Sequence, residues 1–263
     1  MTPTHTQALV ATVIPPPKLS GNKGVPPMNI SKKGIAFSDA NLANTFKAAC
    51  PSCSWAYNWD SSAVLLTPNV NYVPMLWGIS HLNGWDSHAQ AAIANGAEAL
   101  LSFNEPDNAE QANMSPIDAA ILHNSYMNKY STKALIGSPA VTNSDKPNEG
   151  IMWLKQFISA CASLPGGCSI DFCAVHWYSD AQFADSLFRH LEAAYKVCGR
   201  PIWLTEYAAF GQDDKVMSFL ETMIPRLDSL AYVHKYSYFM VSVNRLMSSS
   251  TSLSIIGQIY ADT

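Results

Sequence analysis

Apolar and polar residues follow two alternating rhythms along this chain. Short continuous apolar runs, bounded by turn residues, alternate with longer stretches in which apolar positions return every three or four residues. Lys33 to Phe37, Ser54 to Asn58, Tyr72 to Leu76, Ala97 to Phe103, Ala134 to Ser138, Ile170 to Trp177, Pro201 to Glu206 and His234 to Met240 read as strands. The helical periods are sharpest where their ends are signalled. One follows Ser38-Asp39, a fair N-cap, and runs through Ala49; Trp85 to Asn95 stops at Gly96; Ser115-Pro116 opens a helix through Lys129. Ile151 to Ala162, about Gln182 to Val197, Val216 to Leu230 and Ile255 to Tyr260 complete the set. Apolar strands separated by helices are what a parallel sheet covered on both faces requires, and eight of them in 263 residues predict an α/β fold, a (β/α)8 TIM barrel of one domain. Residues 1–31 stand apart. Pro15, Pro16, Pro17, Pro26 and Pro27 with interleaved Gly and Ser predict an extended arm, leaving 32–263 as the barrel domain.

Two of the strands end on a carboxylate. Leu100-Leu101-Ser102-Phe103 runs into Asn104-Glu105-Pro106-Asp107, and Pro201-Ile202-Trp203-Leu204-Thr205 runs into Glu206. The proline after Glu105 disfavours the right-handed helical region and predicts an extended backbone there. The two acids lie 206 − 105 = 101 residues apart, or three βα units of about 33 residues each in a barrel of this size. That spacing sets them after strands four and seven, both at the C-terminal face where such barrels carry their chemistry. Alternation within strand seven groups Ile202, Leu204 and Glu206 on one face, so a Glu206 aimed into the mouth turns Trp203 towards the helices. In strand six the same rule puts His176 and Tyr178 together and Trp177 opposite.

Composition narrows the partners. Charged residues are 14% of the chain and the formal net charge is −4, with no Lys/Arg cluster, which argues against nucleic acid or an anionic membrane surface as a partner. No run of eighteen apolar residues exists, so no transmembrane helix is expected. The short run Ala8 to Ile14 lacks a basic n-region and is followed by prolines, so it is not read as a leader. Six cysteines and the sequons at Asn29 and Asn113 nevertheless lean towards a secreted or cell-wall protein. Their pairing is open; Cys50 with Cys53 and Cys161 with Cys168 are possible local bridges. No metal and no cofactor are expected: Cys50-Pro51-Ser52-Cys53 has no second ligand pair, and no H-E-x-x-H, nucleophile elbow or Gly-rich phosphate loop occurs.

The motifs around these strand ends resemble a known family. Trp55-Ala56-Tyr57-Asn58-Trp59, Tyr72-Val73-Pro74-Met75-Leu76-Trp77-Gly78, Phe103-Asn104-Glu105-Pro106-Asp107, Gly137-Ser138-Pro139-Ala140-Val141-Thr142-Asn143, Phe172-Cys173-Ala174-Val175-His176-Trp177-Tyr178 and Pro201-Ile202-Trp203-Leu204-Thr205-Glu206-Tyr207 are similar to the successive motifs of glycoside hydrolase family 128, β-1,3-glucanases of clan A. The stretch Ser248 to Ser252 departs from the family's pattern. The resemblance implies a retaining endo-β-1,3-glucanase, with Glu105 as acid/base and Glu206 as nucleophile, acting as a monomer on β-1,3-glucan. It implies Asn104 as donor to the sugar 2-hydroxyl and Tyr178 as partner of the nucleophile. His176, with Tyr57, Asn58, Trp59, Trp77 and Phe239 at strand ends, are the other substrate-binding candidates, since aromatic faces suit the C–H faces of a neutral sugar. An acid/base of this kind calls for a raised carboxyl pKa at Glu105 and an ionised Glu206. An exo-acting glucanase and a non-catalytic glucan-binding barrel are the alternatives, and a clan relative acting on mannan or xylan is excluded by the motifs alone.

Overall fold

The computed structural model describes residues 31–67 and 69–263; the Pro-rich arm expected over residues 1–31 and the sequon at Asn29 thus fall almost wholly outside the described residues. Eight strands follow one another, β1 (Lys33–Phe37), β2 (Trp55–Tyr57), β3 (Asn71–Tyr72), β4 (Ala99–Leu100), β5 (Leu135–Ile136), β6 (Cys173–Asp180), β7 (Ile202–Phe210) and β8 (Val233–Val241). The helices are α1 (Ala40–Ala49), α2 (Trp85–Ala94), α3 (Pro116–Tyr126), α4 (Gly150–Ser163), α5 (Asp185–Cys198), α6 (Asp213–Ser229) and α7 (Ile255–Asp262). The caps read from the sequence are in place: Asp39 accepts from the amides of Asn41 and Leu42, and Ser115 from that of Asp118. No helix forms between β2 and β3 among the described residues, where a loop takes its place.

All ladder pairings are parallel, but the regular ladder is not closed. Six strands run in the order β3-β2-β1-β8-β7-β6, and β4 pairs with β5 in a separate two-stranded piece. Single parallel bridges, Met75 to Leu101 and Gly137 to Phe172, stand on either side of that piece. The strands expected at Tyr72 to Leu76 and Ala134 to Ser138 are short because Pro74 and Pro139 bring no N–H to a ladder.

Side chains pack in two layers. Ala36, Trp55, Tyr57, Val73, Met75, Ala99, Leu101, Phe172 and Trp203 fill the inside of the sheet, while the larger cluster joins the strands' outer faces to the helices. The inner layer is aromatic, and glycine makes room for it. A Cβ on Gly34 would lie 2.2 Å from the Trp55 ring and one on Gly137 2.6 Å from the Phe172 ring. Trp55 is enclosed by Tyr57 and Trp203 at centroid distances of 5.6 and 5.2 Å and cannot step aside. Gly34→Ala is therefore expected to cost about 1–3 kcal/mol by overpacking, read as a fall in the denaturant midpoint against the unaltered chain.

All six cysteines are bridged, as Cys50–Cys53, Cys161–Cys168 and Cys173–Cys198. The first two are the expected local pairs. The third ties the start of β6 to the end of α5.

One strand breaks the alternation. Against β6, Val175 faces Leu204 but His176 faces Glu206, and against β8, Leu204 faces Tyr236 but Tyr207 faces Tyr238. An extra residue is thus accommodated at Thr205-Glu206, a β-bulge of the kind that re-aims side chains beside active sites. The expectation that Trp203 faces the helices is overturned for this reason: Trp203 lies in the inner layer, stacked on Phe172 at 4.0 Å, while Ile202 and Leu204 pack against the helices. A second bulge falls in β8, where Ile35 to Phe37 spans Tyr238 to Val241, bringing both Phe239 and Met240 to the mouth.

Candidate active site

A cleft of about 520 Å³ lies at the C-terminal ends of the strands. Glu105 and Glu206 both line it, together with Trp59, Trp77, Asn104, Tyr178 and Phe239. Each carboxylate is nearly buried, 8% and 5% exposed, so neither is a surface acid.

Glu105 is delivered by an irregular backbone. Its amide donates to the carbonyl of Ala140 at 2.8 Å, and its φ is +41°. The extended conformation expected before Pro106 is not adopted; the proline forbids only the right-handed region, and the residue turns left-handed, at a cost of roughly 1–3 kcal/mol. The neighbouring Asp107 clamps this segment to the β5–α4 connection: it accepts from the Thr142 amide at 3.2 Å, the Thr142 hydroxyl at 2.6 Å and the Gly150 amide at 2.8 Å. Asn108 donates to Glu105 Oε2 at 3.0 Å.

Glu206 is held from three sides. The Trp59 indole donates to Oε1 at 2.7 Å, the Tyr178 hydroxyl donates to Oε2, and the Tyr57 hydroxyl lies 3.5 Å from Oε1. Trp59 also has a left-handed backbone, φ +60°, which turns its ring back over the strand ends.

Between the two acids sits His176, wholly buried. Nδ1 is 2.8 Å from Glu105 Oε1; Nε2 is 3.0 Å from Thr205 Oγ1 and 3.4 Å from Glu206 Oε1. Burial pushes the Glu105 carboxyl up, but the bond to His176, its charge and the Asn108 bond outweigh that and leave it below the ordinary value. Burial likewise opposes a charged His176, yet Glu206 and Glu105 flanking it raise its pKa above normal. The raised Glu105 pKa expected from the sequence is not found, because the His176 and Asn108 bonds stabilise the charged carboxylate more than burial disfavours it.

Glu105, His176 and Glu206 offer three ligand atoms within 4.8 Å of one another, a spacing that a cation could use. The donors are already committed to other partners, however: both imidazole nitrogens face protein oxygens and Glu206 accepts from Trp59 and Tyr178. The set fits a proton-sharing cluster better than a metal cage.

Of the remaining candidates, Asn104, Trp77, Tyr178 and Phe239 are at the cleft. Asn104 donates to Gln111 Oε1 at 3.2 Å, and its own Oδ1 is buried without a partner among the described residues. Phe239 packs edge-on to Trp59 and Tyr178, both at 5.6 Å, with the Arg245 guanidinium 4.9 Å from its ring. Three expectations are corrected. Tyr57 is fully buried beneath the cleft, donating to the Thr205 carbonyl at 2.9 Å, so it supports Glu206 and cannot meet a sugar. Asn58 is a loop brace, donating to the Ser62 carbonyl and accepting from Tyr72, and does not line the cleft. His176 is likewise beneath the floor, joined to the acids and not open to substrate. No local pattern marks the indole bond from Trp59, and strict alternation about Glu206 would turn Thr205 towards the helices, whereas its hydroxyl meets His176.

A family model described as glycosyl hydrolase catalytic core matches residues 34–260. Among solved structures, a subgroup III exo-β-1,3-glucanase of family 128, curdlan-specific and from Blastomyces gilchristii, is 38% identical with a TM-score of 0.83, covering 89% of this chain and all of that one. A subgroup I endo-β-1,3-glucanase from Amycolatopsis mediterranei, bound to laminaritriose, is 29% identical with a TM-score of 0.75 over 88% of this chain and 98% of that one. Alkali-sensitive linkage protein 1 of Schizosaccharomyces pombe is 31% identical over 87% of this chain, which spans 44% of that relative's length. With two acids over one cleft, Glu105 on the segment after β4 and Glu206 at the bulge within β7, where the strand continues past the end expected from the sequence, and with these likenesses along nearly its whole described length, the chain belongs to the glycosyl hydrolase catalytic core family, in glycoside hydrolase family 128.

Proposed function

We propose that the protein is a retaining endo-β-1,3-glucanase in which Glu105 is the acid/base and Glu206 the nucleophile. The observation that carries this reading is the pair of carboxylates whose oxygens approach within 4.8 Å across one cleft. Retaining glycosidases hold their two carboxyl groups about 5–5.5 Å apart, and inverting ones about 6.5–9.5 Å apart to admit a water. The two acids meet different partners: Glu206 accepts hydrogen bonds from Trp59 and Tyr178, whereas Glu105 is joined to the His176 imidazole and the Asn108 amide.

In this mechanism Glu206 attacks the anomeric carbon while Glu105 gives a proton to the departing oxygen; Glu105 then draws a proton from the water that hydrolyses the glycosyl ester. Asn104 lines the cleft, and its side-chain amide, which gives one N–H to Gln111, is the donor assigned to the 2-hydroxyl of the sugar being cleaved. Linkage is supported by the likeness to β-1,3-glucanases, one crystallised with laminaritriose. Exo action is the second reading, favoured by the 38% identical relative, which is an exo enzyme.

The test is product analysis on a linear β-1,3-glucan, with β-1,4-glucan and mannan as controls. An early ladder of oligosaccharides of β anomeric configuration from the β-1,3 polymer alone is expected. Glucose as the sole early product would make the enzyme exo-acting, α products would make it inverting, and binding without cleavage would make it a glucan-recognition barrel. Trp77, half-buried on the Glu105 flank and packed on His81 at 5.2 Å, is expected to act as a sugar platform. Trp77→Ala should raise KM by roughly tenfold on long glucans, given that aromatic contacts beyond simple burial contribute about 0.5–1.5 kcal/mol, and leave short substrates little affected; equal losses on both would assign Trp77 to folding.

The six-stranded ladder, the β4-β5 pair and the bridges between them support one (β/α)8 barrel as the whole of 32–263, with 1–31 as a separate arm. Three disulfides support a secreted or wall-associated setting, since such bridges persist in oxidising compartments. We read the enzyme as a monomer.

A further inference from the structure

The acid/base role creates a difficulty that the geometry resolves. A general acid must carry a proton when substrate binds, yet in the free protein Glu105 faces an imidazole N–H and an Asn108 amide, two donors that favour its ionised form. His176 has no exposure to solvent, and its two nitrogens reach the two acids, Glu105 directly and Glu206 beside Thr205.

We propose that His176 stores the catalytic proton in the free enzyme and hands it to Glu105 when substrate covers the cleft, so that one buried imidazole couples the state of the acid to that of the nucleophile. This inference rests on the glucanase reading. In the free state the imidazolium gives Nδ1–H to Glu105 Oε1 and Nε2–H to Thr205 Oγ1. When a sugar displaces water from the cleft, separated charges lose solvation and the neutral pair is favoured. The Nδ1–H bond breaks and an O–H bond forms on Glu105 Oε1 across 2.8 Å, leaving a neutral imidazole protonated at Nε2 and a neutral carboxylic acid. That proton passes to the glycosidic oxygen as its bond to the anomeric carbon breaks. In the second half-reaction Glu105 takes a proton from the attacking water, and once the product leaves it returns to Nδ1.

The charged groups acting on His176 are Glu105 and Asp107 from the segment after β4 and Glu206 from β7, while His190 of α5 bonds the His176 backbone; Tyr57 of β2 and Tyr178 of β6 lie against Glu206. His190 is held neutral, its pKa lowered to about 4 by burial, so it does not compete for the proton. His176 acts through Glu105 and is a positioning residue, since it touches no substrate.

The test compares kcat/KM against pH for the full chain and for His176→Gln, on a β-1,3-linked glucose oligosaccharide and on its dinitrophenyl glycoside, whose leaving group needs no proton. With the oligosaccharide, the alkaline limb of the variant should fall at lower pH than that of the unaltered enzyme by about one unit, tenfold in rate above it. With the dinitrophenyl glycoside the alkaline limbs should coincide. An unmoved limb on the oligosaccharide would overturn the proposal. Should the unaltered protein cleave neither substrate, the glucanase reading fails on its own. The proton's resting place is read separately by ¹⁵N NMR of the histidine-labelled, ligand-free, unaltered chain at pH 7. Two protonated ring nitrogens at His176 are expected, and a neutral imidazole there would sink the idea whether or not the variant folds.

Discussion

Glu206→Gln is expected to lower kcat/KM on β-1,3-glucan by on the order of 10⁴-fold or more, the scale seen when one group of a covalent mechanism is removed. The amide is nearly isosteric: its oxygen can still accept from Trp59 while its NH2 turns to the Tyr178 hydroxyl oxygen, so the fold should be kept, and what is lost is the negative charge that the proposed nucleophile brings to the anomeric carbon. Glucan binding should survive, because the lining from Trp77 to Phe239 is untouched. Rates with the purified variant, with thermal unfolding as a control for folding, decide the matter. Activity within tenfold of the unaltered protein would place the nucleophile elsewhere in the cleft.

Acid should unfold this protein readily. His123 is fully buried, with Nδ1 3.1 Å from Ser102 Oγ and Nε2 2.9 Å from the Ser169 carbonyl, and burial lowers its pKa to about 4. His190 is lowered to about 4 for the same reason, and its Nε2 has no partner among the described residues. Both must be neutral in the folded chain, while in the unfolded chain they protonate near the ordinary value of about 6.5. The unfolded state therefore binds more protons between these limits, and stability is lost as pH falls from about 6.5 to about 4. Each histidine contributes ~3 kcal/mol to that loss, and the two together ~6 kcal/mol, comparable with the whole stability of many domains. Urea midpoints at pH 7 and pH 4.5 should differ accordingly; equal midpoints would mean that the two sites admit a proton without unfolding.

The strand ends were legible in the sequence because turn chemistry and apolar runs are local signals. Glu105 and Glu206 could be set at one face by counting units between them, and Tyr178 by parity with His176, since β6 keeps its alternation from His176 to Asp180. Parity failed for Trp203 and Thr205 because the extra residue in β7 leaves no mark in composition. The backbone of Glu105 was misread for a related reason: a following proline excludes one region of φ and ψ without choosing among the others. Tyr57 and Asn58 lie at a strand end, which by itself suggests contact with substrate. A strand end carries side chains both above and below the floor of the cleft, and only packing says which is which. Burial of His176 between two acids likewise depends on contacts across 71 and 30 residues of chain, which no local pattern encodes.

The extra residue in β7 also bears on how this active site can change. A regular strand would offer successive side chains to opposite layers, so a nucleophile and its neighbour could mutate independently. Here Thr205 and Glu206 both serve the same cluster, one through His176 and the other at the cleft. Substitutions at the two positions will be epistatic, their joint effect departing from the sum of the single ones. Loss of a single codon in this strand should restore even alternation and rotate Glu206 out of the cleft. The length of β7 is accordingly as much a part of this site as the identity of its residues.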